Sequence, residues 1–147
     1  MSTFTRTFLP AAADAGLDIG TIGRHLPVFR RCVGSDAVVL VARCTRADRP
    51  YCGAYVLTLT RHRLVITRES RVVHRLRLHL DAPLSELSDV TWAADPTGTI
   101  LLFSATAIDG VRERFAIRLR HRGSYEQLDR TLARIFGNPA RPLAVAA

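Results

Sequence analysis

The chain has 147 residues, is 48% hydrophobic and 23% charged, and carries a formal net charge of +8. This length and balance fit one globular domain with its own core, and they exclude a wholly disordered chain. No apolar run approaches the roughly 20 residues of a membrane-spanning helix, and no charged-then-apolar leader opens the chain, so a cytoplasmic protein is expected.

Residues 1–36 read as a helical N-terminal extension. Short helices are predicted over 10–15 and 21–33, the second with Ile22, Leu26 and Phe29 on one face, and packing against the rest of the chain is expected. Gly34-Ser35-Asp36 reads as a turn. From residue 37 onward, short strand-like runs alternate with turn signals: 37–44, 51–60, 63–68, 71–80, 87–92, 99–105 and 111–120. In the fourth run Leu76, Leu78 and Leu80 alternate with Arg75, Arg77 and His79, the pattern of a strand with one buried and one solvated face. Asp81-Ala82-Pro83 is expected to end it. Asp109-Gly110 reads as a two-residue type I′ hairpin turn. It launches a strand with Val111, Phe115, Ile117 and Leu119 on one side and Arg112, Arg114, Arg118 and Arg120 on the other.

A helix is predicted from Ser124 to about Phe136, with Ser124 as N-cap and Gln127 completing a capping box. Tyr125, Leu128, Leu132, Ile135 and Phe136 form its apolar stripe, and Gly137 and Pro139 stop it. So short a helix is marginal alone, so it must dock, and the mouth of the strand system is the expected place. Residues 138–147 read as a flexible tail. The expected fold is mainly β (α+β): two antiparallel sheets forming a seven-stranded, partly open barrel over residues 37–137, capped by the C-terminal helix.

All 21 basic residues counted as Lys+Arg are arginines, a bias that fits a GC-rich bacterial coding sequence. Their placement is uneven. Residues 61–80 hold six Arg against Glu69, and 112–122 hold five against Glu113, while the remainder sums to −1. Arg75, Arg77, Arg112, Arg114, Arg118 and Arg120 are therefore the candidate anion-binding residues, arginine being the side chain best suited to bidentate phosphate contacts. The alternative is a solvated strand face. Trp92, Phe103, Phe115, Tyr125 and Phe136 are assigned to the core, which leaves few aromatics for stacking on bases.

Residues 55–67, YVLTLTRHRLVIT, resemble the LT-x-x-R-L hairpin of bacterial pleckstrin-homology (PH) and related GRAM-like domains. Residues 80–90, LDAPLSELSDV, resemble the lead-in to the fifth strand of those domains. The resemblance covers about residues 37–136 and implies a PH-like scaffold used for binding. The chain departs from the phosphoinositide-binding pattern: the first loop offers Arg43, Arg46 and Arg49 but also Asp48, and 51–60 contain no basic residue.

No phosphate-binding glycine loop, nucleophile elbow or zinc-protease helix occurs. His74 and His79 lie five apart on one predicted strand, so they face opposite ways and share no metal. Cys32, Cys44 and Cys52 are too few and too irregular for a disulfide framework; a Cys44–Cys52 bridge and free thiols are both open. The sequence thus points to a non-catalytic module without cofactor or metal that engages a protein partner or an anionic surface. The alternative is a nucleic-acid-associated protein using its arginine-rich strands.

Overall fold

In the computed structural model, which describes residues 2–50, 53–70, 72–73, 75–121 and 123–137, two helices lead into seven strands and a third helix. The first two are α1 (Thr3–Asp14) and α2 (Ile19–Val33). Each starts on a side-chain cap: the Ser2 hydroxyl accepts from the Thr5 amide at 3.2 Å, and the Asp18 carboxylate from the Thr21 amide at 2.7 Å. Both run further than expected, with Pro10 and Pro27 inside them. An interior proline costs about 3 kcal/mol, but both are exposed, and Phe4, Phe8 and Phe29 anchor the helices by complete burial.

The strands are β1 (Val38–Arg46), β2 (Ala54–Thr60), β3 (Arg63–Glu69), β4 (Leu76–Pro83), β5 (Ser88–Ala94), β6 (Ile100–Thr106) and β7 (Arg112–Arg118). All pair antiparallel, as expected, but in one hydrogen-bonded sheet of order β4-β3-β2-β1-β7-β6-β5 rather than two. The join is a three-pair ladder in which Cys44, Thr45 and Arg46 face Ile117, Ala116 and Phe115. The barrel stays partly open because β4 and β5 are its edges.

One face of the sheet closes on an inner core, with Leu57, Leu59, Leu64 and Ile66 against Leu101, Phe103 and Phe115. On the other face Val41, Val56 and Val65 lie under Phe4, Phe8 and Phe29. Strands β2 and β3 are thus covered on both sides, which accounts for their near-continuous apolar sequence. The N-terminal helices are a second layer of the same structure.

Helix α3 (Ser124–Phe136) plugs the inner core as expected. Leu132 is buried, Leu128 and Phe136 are half-buried, and the Phe136 ring lies 6.0 Å from Phe103 and 6.3 Å from Trp92. Trp92 Nε1 donates to the Asp129 carboxylate at 2.8 Å, tying α3 to β5. The expected capping box does not form. Gly123 is the N-cap, and the Ser124 hydroxyl instead accepts from the His121 amide at 3.2 Å.

Four further expectations give way to local geometry. Asp81-Ala82-Pro83 continues β4, pairing with Val65, Leu64 and Arg63, because an edge strand tolerates a proline whose nitrogen faces outward. The clean alternation in β4 is broken by a bulge: Leu80 pairs with Ile66 while Leu78 pairs with Thr67, so His79 is an extra residue. Leu80 packs on the inner core, His79 turns inward and Leu78 is left exposed. Val111 is also exposed, and Glu113 is buried in β7. The hairpin before β7 is a three-residue loop, closed by Ala107 N–H to Val111 O and Gly110 N–H to Ala107 O, both 2.9 Å. Gly110 alone takes positive φ there, at 84°, so the turn is a glycine bulge and not type I′.

Candidate functional site

Antiparallel pairing places the β1–β2, β3–β4 and β6–β7 connections at the same end of the sheet. That end is the open mouth. Inside it, Tyr55, His79 and Phe115 meet edge to face at 5.2–5.8 Å, and His79 Nε2 contacts the Glu113 carboxylate at 2.9 Å. The aromatic trio closes the interior below the loops.

All six candidate arginines are exposed, and among the described residues none pairs with a carboxylate. The two acids within the basic segments are occupied elsewhere, Glu69 with Arg24 and Glu113 with His79. The six do not form one site. Arg75, Arg77, Arg112 and Arg114 start β4 and β7 at the open mouth, while Arg118 and Arg120 lie at the far end of β7. Arg112 is clamped to β5 and β6, donating to the Asp89 carbonyl at 2.8 Å and the Thr91 hydroxyl at 3.2 Å of β5 and to the Thr106 hydroxyl of β6 at 2.9 Å. Arg120 donates to the Asp14 carbonyl at 2.9 Å and so braces the end of α1. Among the described residues Arg75, Arg77 and Arg114 have no side-chain hydrogen-bond or ion-pair partner at the mouth.

The apolar residues around them went unnoticed in the sequence. Val72 and Val73, at the β3–β4 turn, are 88% and 68% exposed, and Ile108, at the β6–β7 turn, is 76% exposed. A signal was available in the adjacent valines: neighbouring residues of a strand face opposite sides, and an edge strand rarely has both sides covered.

A buried polar cluster joins α2 to the outer face of β3. His25 is fully buried; its Nδ1 lies 2.6 Å from the Thr67 hydroxyl and its Nε2 3.5 Å from the Glu69 carboxylate, which also pairs with Arg24. Burial holds His25 below the usual imidazole range, against the pull of Glu69. Burial pushes Glu69 up, but the Arg24 hydrogen bond and His25 leave it below the usual carboxylate range. The unfolded chain therefore protonates His25 first, so stability is lost as pH falls from the unfolded imidazole value of 6.5. Urea midpoints across that range should decline in the wild type and stay flat in His25→Gln until the carboxylates titrate.

Among the described residues no three metal-binding side chains converge, and Cys32 and Cys44 are free thiols. Burial raises the Cys32 and Cys44 thiols above their ordinary value, so neither is an activated nucleophile. The proposed relations of His74 and Cys52, like the tail 138–147, lie outside the described residues. Among those residues no helix is long and apolar enough to cross a membrane.

No family model matches the chain, and no curated protein matches it. Solved structures of Vav1 are similar at low level. One with an allosteric inhibitor matches at 13% identity and TM-score 0.42, over 79% of this chain and 35% of that one. One concerned with the PH and C1 domains of the Vav1 exchange factor matches at 14% identity and TM-score 0.44, over 90% and 38%. The chain spans little more than a third of those chains, and similarity this weak bears on neither activity nor partner. The antiparallel seven-stranded sheet with its C-terminal helix is consistent with a PH-like fold.

Proposed function

We propose that this chain is a non-catalytic binding module whose open mouth docks on an anionic membrane surface at the cytoplasmic side. The observation that carries this reading is the exposure of Val72, Val73 and Ile108 at loop tips of the end that holds Arg75, Arg77 and Arg114. Aliphatic tips enter the boundary between headgroups and acyl chains, while arginines just behind them meet lipid phosphates. A soluble partner gives no reason to combine the two in this order. Nucleic acid is disfavoured because the large aromatics Phe4, Phe8, Phe29, Tyr55, Trp92, Phe103 and Phe115 are all buried.

Sedimentation with phosphatidylcholine vesicles, with and without phosphatidylserine, tests the reading. Each arginine near an anionic surface contributes about 1 kcal/mol, so Arg75→Gln with Arg77→Gln should weaken binding by about 30-fold. Val72→Asp with Val73→Asp should abolish it. Equal binding to vesicles lacking phosphatidylserine, or binding to RNA or DNA but to neither vesicle, would overturn it.

A further inference from the structure

The β1–β7 ladder stops after three pairs, and the next pair in register would set Arg43 against Arg118. Like charges directly opposite each other oppose strand pairing. From there β1 runs back to Val38 with β2 as its only strand neighbour among the described residues, and a groove of about 1150 Å³ opens between β1, β7, α3 and the end of α1. Every residue from 39 to 45 lines this groove. Side chains alternate across a strand, so an unbroken run of lining residues means that the groove meets β1 edge-on. The Ala47 amide donates to the Arg114 carbonyl at 3.0 Å, which sets the phase of the ladder. By alternation, the N–H and C=O groups of Val41 and Arg43 point the same way, into the groove.

The walls are strongly basic. Arg43, Arg118, Arg120, Arg130 and Arg134 line the groove against one acid, Asp14. Arg120 is held by the Asp14 carbonyl, and the other four have no acidic partner among the described residues. Among the described residues no Phe, Tyr or Trp lines the groove, so these offer no stacking surface for single-stranded nucleic acid, whereas a free strand edge suits a peptide.

We propose that the groove takes an acidic, extended segment of a partner protein, which adds as a strand to the free edge of β1 while its carboxylates meet Arg43, Arg118, Arg130 and Arg134. Arg43 and Arg118 lie toward the end of β7 away from the open mouth, and the proposal is independent of vesicle docking.

The probe is a fluorescein-labelled peptide of alternating Glu and Val, followed by anisotropy with the full chain. Binding is expected, and Arg118→Gln with Arg130→Gln should weaken it at least about tenfold, as two charge-assisted contacts are lost. Circular dichroism matching the wild type shows that this double variant is folded, and its vesicle binding should be unchanged. Methylating alternate backbone nitrogens of the peptide should abolish binding, because the charges stay while the main-chain donors go. In amide exchange, Val41 and Arg43 should be unprotected in the free chain and protected by the peptide. Several results would overturn the proposal: no binding, undiminished binding of the methylated peptide, or tighter binding of an oligothymidylate lost in the same double variant. Protection of Val41 and Arg43 in the free chain that vanishes on dilution, or on removal of residues 138–147, would overturn it too, by naming a second copy or the tail as the occupant.

Discussion

Phe29→Ala is expected to cost about 3–5 kcal/mol of folding stability, the range for truncating a fully buried aromatic. Phe29 is completely buried, its ring 5.6 Å from Phe8 and 6.1 Å from His25, and it belongs to the cluster that covers Val41, Val56 and Val65. Removing it opens a cavity between α2 and the sheet, where Phe8, Val33 and the sheet valines pack around it. Urea unfolding followed by helix circular dichroism and by Trp92 fluorescence checks this, because the single tryptophan reports on the opposite, inner core. The two signals should fall together at a lowered midpoint. Loss of helix signal with Trp92 unmoved would mean that the N-terminal layer unfolds by itself.

Leu132→Ala should cost about 2–5 kcal/mol, by lost transfer energy and by the cavity left behind. Leu132 is 1% exposed and is the most deeply buried residue of α3. The half-buried Leu128 and Phe136 beside it offer less per residue, so the same change at Leu128 should cost less. A shift of Trp92 fluorescence toward that of solvent-exposed tryptophan would accompany the loss, since Trp92 is held by Asp129 and packed on Phe136. A change below about 1 kcal/mol would mean that α3 rests on the barrel without plugging it.

Strand number, strand direction and the C-terminal helix were legible because each rests on a local signal: alternation, turn residues, a stripe at helical spacing. What was not legible depends on distant partners. The bulge that turns His79 inward has no mark in the run around it, because it arises where β4 meets β3. The start of α1 was missed because Pro10 reads as a first-turn residue, although Ser2 was a cap in plain view. The exposed arginines were found from charge counting alone, but their division between two ends of the sheet needed the register of β7 against β1 and β6. The groove was invisible for the same reason, since it is made by a pairing that fails to continue.

That short ladder between β1 and β7 also shapes how the chain reaches its native state. Strands β1 to β4 form one meander of successive hairpins, and β5 to β7 form another, each built from neighbours in sequence. Among the described residues the two meanders share just three strand pairs, Cys44–Ile117 to Arg46–Phe115, across some 70 positions of chain. Closing so long a loop carries an entropic cost that local hairpins avoid, and so few pairs repay it only once the shared inner core has formed. The two meanders should therefore assemble early and the seam between them last, which makes the seam the step that sets the folding rate.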